Sequence, residues 1–444
     1  MATNSNSKKY VVGIGEALLD VFSDGTRRLG GAPLIFAYHA GKTFGKGVIV
    51  SAVGDDAAGE NIKQDLNTLG VEDKYLYMTG KPTGTVKVND TDPNDPKYNI
   101  DTDSAWTEIP YDEQLKELAD NTAAVYFGPL ASYCGQISKT TIDKFLKELP
   151  KDCWKIFDVN LRHNPVENNK YTDPLFSEGL VREYIDMCNV LKVNKEEMDY
   201  LCTICGIMGN LSNKKKSEAL MDRFTHIKIL LLTLGEEGSA VFWRTEGEQK
   251  TVLYQYYGVS VEQPLNSVGA GDALAGAFIG EILKENKEDL SQINIGKAHV
   301  EAVRRSAQVC SEGNSMPPIL HSDIFVSYSR KDEDVVVNFC RLFNAQNWSV
   351  WRDKEQIEYG EEFPNEIRQA INNCKVVVYF SSEDSNKSEY VEKEIQYANN
   401  NGKKIVPIRL RESELNSNIE SIVKWKNYLD WDMLCKTIKE GFNK

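Results

Sequence analysis

Near residue 318 one run of alternating strands and helices stops and a second begins, so the chain must fold as two α/β bodies. The first run opens with Lys9-Tyr-Val-Val-Gly-Ile-Gly-Glu16, a short apolar stretch closed by glycine, which reads as a buried strand. Further strands are expected at 47–53, 123–128, 154–158, 189–193 and 228–234, with helices such as 57–69, 139–149 and 272–284 between them. Strands alternating with helices imply βαβ units and a mostly parallel sheet. Residues 83–109 break the rhythm. Thr85-Val-Lys-Val-Asn89 alternates and then turns through Asp92-Pro-Asn-Asp-Pro96, as a β-flap over a site would. Ser311-Glu-Gly-Asn-Ser-Met-Pro-Pro318 punctuates the chain with glycine and paired proline. Beyond it, strands at 323–328, near 348–351, 375–380 and 404–408 alternate with helices at 333–346, 362–373 and 388–399, a flavodoxin-like pattern. The expected division is a mobile tail at 1–8, a first domain at 9–313, a linker at 314–320 and a second domain at 321–444.

Composition narrows the partners. Of 444 residues, 41% are hydrophobic and 27% charged, the balance of a globular protein. No run approaches the roughly 20 apolar residues that span a bilayer, and the opening residues lack the apolar core of a secretory signal. We expect a cytoplasmic protein with no membrane partner. Net charge is −14, of which residues 319–444 contribute −3 and the rest −11. Neither half offers the basic stripe on which nucleic-acid binding depends. Nine cysteines without regular spacing fit reduced thiols, and Cys202-x-x-Cys205 has no second pair or nearby histidine to complete a zinc site.

The chemistry of the first domain centres on Val268-Gly-Ala-Gly-Asp272, a turn of small residues feeding a helix. Such a turn lets backbone N–H groups converge on an anion at the positive helix end. Gly269, Ala270 and Gly271 supply it, and Asp272 stands where a carboxylate can take a proton from a substrate hydroxyl. Other blocks accompany it in order: Gly15-Glu-Ala-Leu-Leu-Asp20, Gly30-Gly-Ala-Pro33, Val53-Gly-Asp-Asp-Ala-Ala-Gly59, Phe157-Asp-Val-Asn-Leu-Arg162, Asn194-Lys-Glu-Glu197 and Thr233-Leu-Gly-Glu-Glu-Gly238. Over about 310 residues this region resembles the ribokinase-like (PfkB-type) carbohydrate kinases. The resemblance implies an α/β/α domain with a β-flap, ATP and Mg2+ as cofactors, Asp272 as base and 269–271 as the anion hole. It also implies Asn194 and Glu197 at the magnesium–phosphate site, with Glu197 toward the metal. Thr233 and Gly235 would lie near the nucleotide, and Asp20, Gly31 and Arg162 toward the acceptor. Two departures stand out. Ile35 occupies the position where the family usually places a sugar-binding asparagine, and Asn266-Ser-Val replaces the common Asp-Thr-Thr. The phosphate end is thus kept while the sugar-reading end is altered, which favours a nucleoside or sugar phosphate and leaves kinase and ligand sensor both open.

In the second domain Asp323-Ile-Phe-Val-Ser-Tyr-Ser-Arg-Lys-Asp332 is a strand ending in polar residues, and ligands bind at the carboxyl ends of such strands. A later helix sets Tyr390 and Glu394 four residues apart on one face. With the Asp353…Gly360 loop, the strand Lys375-Val-Val-Val-Tyr-Phe-Ser-Ser382 and Ser388-Glu-Tyr390-Val-Glu-Lys-Glu394, the domain resembles the TIR (Toll/interleukin-1 receptor) family, implying a smaller flavodoxin-like fold with a parallel sheet. The resemblance maps onto Glu394 the glutamate of those TIR domains that cleave NAD, with Tyr390 in the place usually held by tryptophan. Tyr328, Ser329, Arg330 and Asp353 are candidates to line the NAD pocket. The 353–364 loop matches the segment through which TIR domains self-associate. A carboxylate suits this chemistry because breaking the ribose–nicotinamide bond develops positive charge on the sugar.

Together these readings describe an immune-type effector in which the first domain senses a small metabolite and gates NAD cleavage by the second. The rivals are a working sugar or nucleoside kinase whose TIR module is an interaction adaptor, and a scaffold with two silent sites.

Overall fold

Runs such as Val11-Val12 and Val48-Ile49-Val50 are completely buried, and apolar residues covered on both faces of a sheet require helices on each side. Alternate residues divide between two cores. Val12, Val48, Val50, Val125 and Phe127 pack into one, while Val11, Ala124 and Tyr126 pack into the other with Phe36, Leu274 and Phe278. The computed structural model describes residues 10–22, 27–89, 97–162, 177–244, 252–261, 264–285, 290–317, 322–346, 348, 350–352, 365–411, 417–423 and 431–442. Contacts divide the chain into two units, Met1–Pro317 and Pro318–Lys444.

In chain order the strands of the first unit are β1 (Tyr10–Ile14), β2 (Leu18–Val21), β3 (Arg27–Gly30), β4 (Lys46–Gly54), β5 (Leu76–Thr79), β6 (Thr85–Asn89), β7 (Lys97–Ile100), β8 (Thr122–Phe127), β9 (Trp154–Asp158), β10 (Val190–Asn194), β11 (Ile229–Thr233), β12 (Ser239–Arg244) and β13 (Val252–Tyr257). Nine form the main sheet, in the order β13-β12-β11-β10-β9-β8-β1-β4-β5. The seven from β11 to β5 pair in parallel. The antiparallel edge β12–β13 is absent from the sequence reading. Strand order reverses at β1/β8, and such reversals open a crevice at the carboxyl ends of the strands. A separate sheet, β3-β2-β6-β7, forms the flap. It is larger than the 83–109 stretch suggested, because β2 and β3 join it, and the turn through 92–96 lies outside the described residues.

Helices expected at 57–69, 139–149 and 272–284 occur as Ala57–Leu69, Gln136–Glu148 and Ala270–Lys284. The last two begin earlier because glycines, Gly135 and Gly269, stand at their N-caps. The helix Ile295–Glu312 ends on left-handed Gly313.

The second unit contains β14 (Ser322–Ser327), β15 (Val350–Trp351), β16 (Cys374–Ser381) and β17 (Lys404–Arg409), all parallel in the order β15-β14-β16-β17. That is the doubly wound flavodoxin-like order, with its reversal between β14 and β16. Helices Glu333–Ala345, Asn365–Asn373, Glu389–Asn400 and Trp431–Phe442 belong to this unit.

Candidate functional sites

A cavity of about 1300 Å3 opens in the first unit. Gly269, Ala270, Gly271, Asp272, Asn194, Glu197, Thr233, Gly235 and Arg162 all line it, so residues spread over more than one hundred positions share one space. Gly269 adopts φ 75 just before the helix Ala270–Lys284, whose first turn has no side-chain cap. A Cβ on Gly269 would lie 2.5 Å from Ser315 Cβ and 2.8 Å from Ile35 Cδ1. Only glycine fits here, and the uncapped turn lines the cavity with its free backbone N–H groups.

Asp272 does not stand alone. Its Oδ1 accepts a hydrogen bond of 2.8 Å from the Tyr126 hydroxyl, and the same hydroxyl contacts Asp158. A phenol has one hydrogen to give, so the two carboxylates compete for it. Lys192, 9% exposed in its side chain, lies 2.8 Å from Asp158 Oδ2 and 3.7 Å from Asp272 Oδ1. Burial opposes the ammonium charge of Lys192, but Asp158, Asp272 and Glu197 outweigh it and raise its pKa. Burial likewise raises the Asp272 carboxyl, with Lys192 opposing and Asp158 adding to the rise. The candidate base therefore holds a proton more readily than an exposed aspartate, as suits a group that must accept one.

Asn194 and Glu197 form a capping box at the start of the helix Lys195–Ile204. Asn194 Oδ1 accepts from the Glu197 N–H at 2.8 Å, and Glu197 Oε2 accepts from the Asn194 N–H at 2.7 Å. Glu197 Oε1 also accepts from the Leu161 N–H at 2.9 Å. Burial pushes the Glu197 carboxyl up to about 7, Asp158 adding and Lys192 opposing. A magnesium ion prefers hard oxygen donors. Asp158 Oδ1 is buried with no hydrogen-bond partner among the described residues. Among the described residues no three acidic, histidine or cysteine side chains converge on a metal site, so a magnesium ion here would depend on the oxygens of a bound phosphate and on water, with Glu197 a carboxylate of the cavity wall.

Asp20 and Gly31, expected toward the acceptor, are not among the residues that line the cavity; β2 carries Asp20 opposite Arg28 of β3. A Cβ on Gly30 would lie 2.2 Å from Asp20 Oδ2, so glycine there admits the carboxylate. Gly31, at φ 108, caps the helix Ala32–Thr43. Burial pushes both Asp20 and Glu16 up to about 7, against the opposing pull of Arg162. The Arg162 guanidinium stacks over the Tyr98 ring of the flap at 4.9 Å. Ile35 is 2% exposed and lies against Gly269. Tyr126, Lys192 and Glu16 escaped the sequence reading as site residues. The signal for Lys192 was available, a lone charge within the apolar strand Val190-Leu-Lys-Val.

In the second unit Glu394 is 7% exposed. The Ser327 hydroxyl, at the end of β14, donates to its Oε2 at 2.6 Å. Next in chain, Tyr328 is half-buried; burial raises its pKa while Arg352 opposes, donating to its hydroxyl at 3.4 Å. Ser329 is half-buried and Arg330 exposed. Tyr390 lies one turn before Glu394 on Glu389–Asn400, with the Lys393 ammonium 5.4 Å from its ring centre. Buried Asp332 accepts from the hydroxyl of Ser382, the residue just after β16, bracing the same sheet edge. Asp353 and the 353–364 segment lie outside the described residues. Ser327 and Ser382 were not singled out, since a serine at or just past a strand end carries no signal of what it meets.

The family model of the pfkB family carbohydrate kinases matches residues 8–311, and that of the TIR domain matches residues 324–442. The ATP-dependent 6-phosphofructokinase of Thermoanaerobacterium thermosaccharolyticum is 24% identical over 300 residues, covering 63% of this chain and 83% of its own. The fold resembles that of a Vibrio cholerae fructokinase solved with fructose, ADP and calcium (TM-score 0.55, 22% identity, 70% of this chain and 96% of that one). It also resembles an uncharacterized Pyrococcus horikoshii sugar kinase solved with ATP (TM-score 0.53, 23% identity, 69% and 95%).

Proposed function

The chain belongs to the pfkB family of carbohydrate kinases and carries a TIR domain after it, and from that premise we propose that it is a metabolite-gated effector that cleaves NAD. The first unit binds a sugar, a nucleoside or one of their phosphates, with ATP and Mg2+ as companions. The second unit then breaks the bond between ribose and nicotinamide.

The observation that carries this reading is the burial of Glu394 on a hydroxyl at the strand edge of the second unit. A buried carboxylate costs several kcal/mol unless it is satisfied. An adaptor needs surface rather than a desolvated acid in its interior. In the proposed step the C1′–N bond of NAD breaks with its electron pair leaving on nicotinamide. The Glu394 carboxylate stabilises the cationic ribose. Water then adds at C1′ and releases a proton to solvent to give ADP-ribose, or an adenine nitrogen adds at C1′ to give a cyclic form.

In the first unit the N–H groups of 269–271 and Lys192 hold phosphate charge, Thr233 and Gly235 flank the nucleotide, and Asp272 accepts the proton of an acceptor hydroxyl. Mg2+, when bound near Glu197, neutralises phosphate charge. Asp20, Gly31 and Arg162 frame the acceptor. These features also favour a second reading: a working sugar or nucleoside kinase whose TIR module is an adaptor. Its specific support is the Tyr126–Asp272–Lys192 cluster, an arrangement suited to proton acceptance.

The deciding experiment measures nicotinamide release from NAD by the full chain, alone and with sugars, nucleosides and their phosphates, each with and without ATP·Mg2+. Release with one ligand and its loss in Glu394→Gln support the effector. ATP consumption without nicotinamide release under any condition overturns it and leaves the kinase with an adaptor.

A further inference from the structure

The flap strand β3, the helix Ala32–Thr43 and the Gly269 turn of the cavity wall all meet the last five described residues of the first unit. After Gly313, with φ 67, closes the helix Ile295–Glu312, the chain stays on the body to Pro317. Arg28, on the flap strand that carries Asp20's partner positions, donates to the Gly313 carbonyl. His39, on the helix that Gly31 caps, has Nε2 2.7 Å from the Ser315 carbonyl. A carbonyl only accepts, so His39 presents its Nε2–H. The Ser315 side chain and Ile35 both abut Gly269, leaving no room for a Cβ there. Met316 is buried as well. Upstream, in the last turn of the helix Ile295–Glu312, the Cys310 carbonyl accepts from the Leu265 N–H at 2.9 Å, tying the helix end that leads into the strip to the start of the loop before Gly269.

Close-packed groups cannot shift independently. An anion drawn onto the N–H groups of 269–271 acts on Gly269, and Gly269 is in contact with Ser315. An acceptor that moves the flap acts on Arg28, and Arg28 holds Gly313. The peptide that follows Pro317 begins the second unit at Pro318.

We propose that Gly313–Pro317 transmits pocket occupancy to the chain beyond it, and that His39 and Arg28 are the positioning residues that hold it against the anion-hole turn. The inference rests on the sensor reading of the first unit and supplies its regulation. Ile35 belongs to the same device. Where the family usually has an asparagine turned to sugar, this chain places an apolar side chain that presses on the transmitting turn.

The test is hydrogen exchange, read by mass spectrometry on the full chain, with saturating ATP·Mg2+ and separately with inorganic phosphate as probes. Exchange in peptides covering 309–317 should change by about fivefold or more, the lower range of ordinary coupling between sites. His39→Leu should abolish that response while still binding ATP. His39→Gln, which restores an N–H donor, should retain it. If His39→Leu does not fold, Arg28→Met serves in its place. Unchanged exchange at 309–317 with both probes overturns the inference, even if nicotinamide release responds to ligand. A response at 309–317, together with no nicotinamide release across the whole panel of sugars, nucleosides and their phosphates, upholds transmission and instead overturns the effector reading.

Discussion

Ser327 Oγ donates to Glu394 Oε2 across 2.6 Å, joining the last residue of β14 to the buried face of the helix Glu389–Asn400. The bond fixes one carboxylate oxygen at the point where strand order reverses. A hydrogen bond to a charged group contributes about 1.5–3 kcal/mol. Ser327→Ala should therefore lower the rate of nicotinamide release by roughly tenfold to a hundredfold, with KM for NAD little changed. Ser327→Thr, which keeps the hydroxyl, should recover most of it. Steady-state kinetics on the two variants checks this. An unaltered rate in Ser327→Ala would show that Glu394 is oriented by other contacts.

Lys192 is the one buried cation described between Asp158 and Asp272. Removing it leaves two desolvated carboxylates facing each other, and breaking a buried pair costs about 3–5 kcal/mol. Lys192→Met should lower the melting temperature of the first unit markedly and weaken ATP binding. Lys192→Arg should not restore binding, because a guanidinium is too large and planar for the gap beside Gly271, where a Cβ would already be 3.3 Å from Nζ. Calorimetric melting and ATP titration read both effects. An intact melt for Lys192→Met would mean that the Tyr126 hydroxyl, shared by the two carboxylates, suffices to hold them without the ammonium.

The legible parts of this molecule are those whose signal is local. The Gly269–Asp272 turn announces itself because only small residues admit that approach, and β1 and β4 announce themselves as apolar runs. Lys192, Tyr126 and Ser327 stayed hidden because their roles depend on partners 34, 146 and 67 positions away. A tyrosine in Thr122-Ala-Ala-Val-Tyr-Phe127 reads as strand filler until the fold brings Asp272 to its hydroxyl. The glycine and paired prolines of Ser311–Pro318 point to a linker at 314–320, yet the structure puts 313–317 on the body of the first unit, where Arg28 holds the Gly313 carbonyl and His39 the Ser315 carbonyl. Turn chemistry marked the break in the helix and could not say where the chain leaves the surface.

Ile35→Asn restores the residue type usual at that position, but in a setting 2% exposed and pressed on Gly269. An amide buried without a partner costs about 1–3 kcal/mol. The variant should melt lower than the parent in buffer. Fructose should recover much of that loss if the amide meets a sugar hydroxyl. Thermal-shift curves with and without fructose test this. Equal stabilisation of parent and variant by fructose would mean that sugar binds without reference to position 35.

Glu16 provides a pH signature whose sign follows from burial. Its carboxyl rises from 4.5 to about 7 because burial disfavours the charge, a change worth about 3 kcal/mol. A group with a raised folded pKa gives its full contribution below its unfolded value and loses it as pH climbs through the folded one. The parent should therefore shed stability between about pH 4.5 and 7 on account of Glu16. Glu16→Gln cannot ionise and should escape that loss. The melting temperature of the variant minus that of the parent should be small near pH 4.5, grow up to pH 7 and level off above it. His39 works in the opposite direction. Burial lowers its pKa to about 4, so its contribution is lost as pH falls from 6.5 through 4. Because His39 is present in both proteins, it cancels in the difference. A melting difference independent of pH would mean that Glu16 keeps its charge solvated in the folded chain, and the pocket beside Arg162 would then be wetter than the packing of Gly31 against the Glu16 carbonyl allows.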